Sequence, residues 1–176
     1  MNEKRESAFV KSLEKLYHEN NRSALAKLRR GLGKKNGTPD MCRYVVPFLP
    51  EGTETYQLGR YFLIASLFAL HPEPAARNTS MGKVFRAMMV TIQSIEKRFE
   101  NLLAVDAEDL DGHLRQAISL AKSKNIRVDF HRLFYDIDRN NWNRQDRRVQ
   151  LEWARDFWGY EKELKENESD TKGEQQ

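Results

Sequence analysis

The residues best suited to chemistry in this chain are a run of acids and amides, four scattered histidines and a glycine-lysine loop. Asp136-Ile137-Asp138-Arg139-Asn140-Asn141 has the D-x-D-x-N opening of a calcium-binding loop. Such a loop needs glycine at its sixth position and a bidentate glutamate at its twelfth. Those positions hold Asn141 and Arg147, so the run reads as the polar end of a helix. His18, His71, His113 and His131 form neither an HxxxH pair nor an HExxH motif. Asp129 and His131 stand two apart, a spacing that points side chains to different helix faces. A metal-dependent nuclease built from Asp129, His131, Asp136 and Asp138 therefore remains only as an alternative to be tested. Gly31-Leu32-Gly33-Lys34-Lys35-Asn36-Gly37 departs from GxxxxGK[ST], and the segment before it is helical in pattern. It reads as a flexible basic loop able to meet a phosphate backbone. The single cysteine, Cys42, excludes an internal disulfide and a CxxC site, and its place in a short helix predicts a buried small residue. No catalytic motif stands out, so the expectation is a protein that is not an enzyme and uses no cofactor.

The stronger pattern is cationic. Arg29 and Arg30 end a helix and run into Lys34 and Lys35. Lys83 with Arg86, and Lys97 with Arg98, place further cations in the centre. Arg115 and Lys122 lie two turns apart on one face of their helix, and Arg144, Arg147 and Arg148 (i, i+3, i+4) predict one basic face on the last helix. With no recognised base-reading module, the mode expected is contact with a nucleic-acid backbone. Basic helix faces also suit a regulator or scaffold that binds acidic protein partners, and that reading stays open.

The elements that carry these residues have the helical period. Phe9, Val10, Leu13, Leu16 and Tyr17 form one stripe; Leu25, Leu28 and Leu32 form a second. Thr38-Pro39-Asp40 opens a short third helix. Thr53 or Thr55 opens the next helix, which runs through Tyr61 to Leu70, is apolar nearly all round and is expected to be the central buried helix. Ser80 caps the next, followed by a helix with the stripe Ile92, Ile95, Phe99, Leu102 and Leu103, then one that buries Leu110, Leu114, Ala117, Ile118 and Ala121. Asp106 and Asp109 resemble a capping box. Asp129 starts a helix broken by Asn140-Asn141, and the last begins near Asn143 and stops at Gly159. The fold expected is all-α, with about eight helices in two packed bundles, residues 1–75 and 76–160. A disordered acidic tail follows over 161–176.

Composition supports a folded, heavily charged protein. Of 176 residues, 39% are hydrophobic and 32% charged, with nine Phe, six Tyr and three Trp for a core. Typical domains have about 45–50% apolar and about 25% charged residues. The net charge of +4 divides into a tail of −3 after residue 160 and a body of +7, which favours anionic partners. The length excludes large architectures such as a (β/α)₈ barrel of about 250 residues. The longest apolar stretch, Tyr61 to Leu70, has ten residues broken by Ser66, and a membrane span needs about 20. Without a secretory h-region at the N-terminus, the expected location is cytoplasmic and away from membranes.

From about Ala24 to Trp158 a set of motifs follows in order. These are Leu28-Arg29-Arg30-Gly31, Tyr44-Val45-Val46-Pro47-Phe48, the apolar helix after Arg60, and Ser80-Met81-Gly82-Lys83. Lys97-Arg98-Phe99 with Leu102-Leu103, Leu114-Arg115 and the segment from Arg147 to Trp158 complete it. In these motifs the chain resembles the CasB family, the small subunit of the type I-E CRISPR surveillance complex, Cascade. What the resemblance implies is an all-α, non-catalytic subunit present in two copies. It would touch the repeated backbone subunit and the large subunit, and hold guide RNA, target DNA and the displaced strand. Arg29, Arg30, Lys83, Lys97, Arg98, Arg115 and Arg147 fall in the matching basic segments.

Overall fold

The computed structural model describes residues 2–159, with side chains from residue 5 onward. Its first helix, α1 (Asn2–His18), buries Phe9, Val10 and Leu13 on one stripe. Asn20, at a left-handed φ of 53°, turns the chain, and the Asn21 side chain accepts the Ala24 N–H (3.0 Å) to cap α2 (Arg22–Arg29). A 3-10 turn at Pro39–Met41, the one-turn α3 (Cys42–Val45) and a second 3-10 turn at Val46–Phe48 lead to α4 (Thr55–Leu70). Then follow α5 (Met81–Met89), α6 (Ile95–Ala104), α7 (Leu110–Ser123), α8 (Phe130–Asp136), α9 (Arg139–Trp142) and α10 (Arg148–Trp158). Among the described residues there is no strand, only an isolated bridge between Pro74 and Val128. No helix there is long and apolar enough to cross a membrane.

The all-α expectation holds, with ten helices among the described residues where about eight were foreseen. Asn140 and Asn141, expected to break a helix, sit inside α9, because the Asp138 carboxylate caps a new turn by accepting the Asn140 N–H (2.9 Å). The expected tail over 161–176 lies outside the described residues. Ser80 caps α5 through the Lys83 N–H (3.3 Å), and Asp129 caps α8 through the His131 and Arg132 N–H groups (3.0 and 3.1 Å). The Asp106–Asp109 capping box does not form: the Asp109 N–H bonds the Asp106 carbonyl instead, and its side chain caps nothing. Cys42 is exposed, since the turn before it directs Met41 inward in its place.

Helix α4 is the hub, packed against α1, α2, α3, α7 and α8. It runs parallel to α7. His71, just past α4, bonds the Ile126 carbonyl just past α7 (2.8 Å), while Thr55 and Leu110 at their beginnings share one cleft. A second group packs α10 and α6 on α5, with α7 resting against α5 and α6. Gly82 makes the α5–α10 crossing possible, because a Cβ there would stand 2.0 Å from the Trp153 carbonyl oxygen. The buried apolar side chains, from Phe9 to Phe157, make one continuous cluster.

Two buried polar networks tie distant segments. Arg60, only 8% exposed inside the most apolar helix, pairs with Glu6 (2.5 Å) and Asp138 (2.9 Å) and donates to the Phe134 carbonyl (3.0 Å). Asp136 accepts from Arg132 Nε (2.8 Å) and Trp153 Nε1 (2.7 Å), joining α8 to α10. Burial pushes the Asp136 carboxyl up to about 6, although bonds from Trp153 and Arg132 oppose that rise.

Candidate nucleic-acid interface

The basic loop is held by close backbone contact with α4. A Cβ on Gly31 would collide with Met41 and Ser66, and one on Gly37 with Phe62, so the chain after α2 runs back along α4. This lays residues 31–37 flat and leaves Lys34 and Lys35 exposed. Arg115 joins them from α7: its Nη1 lies 3.1 Å from the place a Cβ would take on Gly33. Two turns further along the same exposed face stands Lys122. Among the described residues, Lys34, Arg115 and Lys122 make no ion pair, and Lys35 interacts electrostatically with Asp111.

Arg29 and Arg30 flank this loop with part of their capacity already used. Arg29 Nε donates to the Ala69 carbonyl (3.0 Å) in the last turn of α4, a favourable place for a cation. Arg30 pairs with Asp40 at 3.1 Å but stays 69% exposed. The Thr38 hydroxyl bond, helped by Arg30, holds Asp40 below its ordinary value.

The surface continues across α7. A groove of about 310 Å³ between α6 and α7 is lined by Lys97, Arg98, His113 and Gln116 among others. Gln116 adjoins Arg115, so the groove and the loop share a border on α7. Lys97 pairs with Glu100 (3.1 Å), an exposed i,i+3 pair of small energetic weight. Arg98 has no ion pair among the described residues. On α5, Lys83 is exposed, whereas Arg86 is half-buried and donates to the Asp156 carbonyl (3.1 Å), fastening α5 to α10.

Arg144, Arg147 and Arg148 do not lie along one helix as expected. Residues before 148 form a turn, Arg147 takes a left-handed φ of 49°, and α10 begins at Arg148. The cause is Asp146, which accepts from Arg144 (3.0 and 2.6 Å) and from the Arg148 N–H (3.3 Å). Arg144 holds the exposed Asp146 carboxyl down to about 2. Arg148 bonds Glu152 (3.1 Å), and Arg147 donates to the Leu103 carbonyl (2.7 Å). These three cations are thus partly engaged within the fold.

The residues of the nuclease alternative are engaged within the fold, except that Asp129 Oδ2 is buried without a hydrogen-bond partner and Asp129 lines one pocket with His131. Asp129 and Asp138 cap helices, Asp136 serves Arg132 and Trp153, and His131 bonds Glu14 (3.2 Å). Burial lowers the His131 pKa, with Arg77 adding to the fall and Glu14 opposing it. Among the described residues, no group of three or more His, Cys, Asp or Glu is placed to hold a metal ion. A cleft of about 440 Å³ beside the basic loop, lined by Lys35, Tyr56, Leu63, Leu110 and Asp111 among others, escaped the sequence reading. Its walls come from separate segments, so no local pattern announces it.

Comparison with known proteins bears on the family and the fold. The sequence model for the family described as CRISPR-associated protein Cse2 matches residues 24–158. A CRISPR-associated protein Cse2 of Thermus thermophilus is 32% identical over 139 residues, covering 78% of this chain and 79% of that protein. The crystal structure of CasB from Thermus thermophilus superposes with a TM-score of 0.74 at 30% identity, over 88% of this chain and 97% of that one. A chain of a CRISPR RNA-guided surveillance complex shares the fold (TM-score 0.73, 22% identity, 95% of this chain and 99% of that one).

Proposed function

The chain belongs to the CRISPR-associated Cse2 family, and from that premise we propose that it is the non-catalytic small subunit of a type I-E Cascade ribonucleoprotein. Its work is to hold nucleic-acid backbone without sequence specificity, stabilising the guide RNA–target DNA R-loop and the displaced strand. A fold shared with a chain of an RNA-guided surveillance complex supports membership in such an assembly. There it meets the repeated backbone subunit, the large subunit, a second copy of itself, guide RNA and target DNA, in the cytoplasm. Residues 1–75 and 76–160 act as two helical lobes, with the basic surface crossing their seam.

The observation that carries this reading is the placement of Arg115 against Gly33, which joins cations 80 residues apart in sequence into one exposed surface. The energetics suit that role. In R-loop formation the heteroduplex gained is about as stable as the duplex lost, so protein–backbone contacts tip the exchange. Each phosphate neutralised steepens the dependence of log affinity on log salt by about 0.7–0.9. In the assembled complex, a Lys34→Ala/Lys35→Ala/Arg115→Ala variant is expected to fold normally, retain DNA less well and flatten that slope by about 2. An unchanged slope overturns the assignment, and a wild-type chain with no nucleic-acid affinity, free or in the complex, favours an acidic protein partner.

A further inference from the structure

The cleft beside the basic loop has the composition of a receptor for one unstacked nucleotide. Its volume of about 440 Å³ falls within the range of about 300–1,000 Å³ common to small-ligand sites. Leu63 from α4 and Leu110 from the start of α7 supply apolar wall, and the half-buried Tyr56 supplies an aromatic ring. Arg139 lies over that ring, 5.8 Å from its centroid, and pairs with Glu108, the second acid of the cleft. At the mouth stands Lys35, exposed and continuous with Lys34 and Arg115. Gly112 also lines the cleft, and a Cβ there would meet nothing within 4 Å, so the entrance is open on the α7 side.

We infer that this cleft takes the base of a single-stranded nucleotide, stacked by Tyr56 between apolar walls, with Lys35 on the adjoining phosphate and the Asp111 carboxyl bonding the base edge. The inference deepens the proposed function and rests on it. A strand following the basic loop passes the cleft mouth, where turning one base inward exchanges its exposed faces for aromatic and apolar contact. Stacking of this kind tolerates any base, because every base has a π-face. Asp111 fits the same role: a carboxylate accepts from exocyclic base amines. Its burial raises its pKa while Lys35 opposes that rise.

The test compares two probes of equal phosphate charge, a twelve-nucleotide oligo-dC and a twelve-unit abasic strand, by fluorescence anisotropy at low salt with the full chain. The wild type is expected to bind the oligo-dC about fivefold more tightly, the low end of what one stacked base contributes. Gly112→Phe, which projects into open space and keeps the helix, should remove that preference and leave abasic-strand binding unchanged. Tyr56→Ala should reduce it in the same way. Equal wild-type binding of both strands overturns the pocket while sparing the basic surface. Binding of neither strand overturns the pocket, and if the assembled complex also gains no nucleic-acid affinity from the chain, the nucleic-acid reading falls with it. If Gly112→Phe leaves both strands unaffected but loosens the chain from the assembled complex, the cleft belongs to a protein side chain and the inference fails.

Discussion

Arg115 Nη1 lies 3.1 Å from the position of a Cβ on Gly33, whose φ is +76°. One glycine thus lets the chain adopt a left-handed turn and lets α7 deliver its cation to the loop. Alanine at Gly33 is expected to cost about 1–2 kcal/mol through the left-handed backbone alone and to displace the guanidinium. Urea denaturation should show the loss, and filter binding with the assembled complex should show weaker DNA retention. Gly112→Ala is the control. It lies in a helix with open space around its Cβ, so stability should rise by about 0.5–1 kcal/mol. Normal retention by Gly33→Ala would detach the loop geometry from function.

The α5–α10 crossing depends on Gly82. A methyl group there would stand 2.0 Å from a backbone oxygen of Trp153, which no side-chain rotation relieves. Gly82→Ala is expected to lower stability by about 1–3 kcal/mol or more, as overpacking does, and to move α10 with Trp153. A thermal midpoint equal to that of wild type would show that the two helices separate at little cost.

Asp136 links stability to pH. Its folded pKa of about 6 exceeds its ordinary 3.8, so between these values the native state holds a proton that the unfolded chain has released. Stability from this group is therefore full below about pH 4 and declines as pH rises through 6. Relative to Asp136→Asn, which does not titrate, the wild type should lose about 1–3 kcal/mol between pH 4 and 7. At every pH the variant also leaves either Arg132 or Trp153 without its acceptor, a constant offset. Urea midpoints at several pH values give the difference curve, and parallel profiles would contradict the account.

Local patterns carried most of the helical fold. Leu110–Leu114–Ala117–Ile118–Ala121 is buried as its spacing predicts, the first stripe is buried at Phe9, Val10 and Leu13 and half-buried at Leu16 and Tyr17, and Ser80 caps where a cap was expected. The pattern failed where a side chain's partner is remote. Arg60 looks out of place in an apolar helix until Glu6 and Asp138 close around it from opposite parts of the chain. Arg144, Arg147 and Arg148 have helical spacing, but Asp146 captures the backbone and side chain around it and delays the helix. For the basic surface, sequence named the cations but not their grouping. That Arg115 meets the loop at Gly33 follows from the packing of α7 on α4, which no periodicity encodes.

The central claim is membership in a guide-RNA complex, and the most direct measurement is native mass spectrometry after co-expression. The tagged chain would be produced with the remaining subunits and guide RNA of a cognate type I-E system. The account predicts a co-purifying complex whose mass includes two copies of this chain and one guide RNA. Assembly of the other subunits without it, with the chain purifying alone, would contradict the account and leave only a shared helical fold.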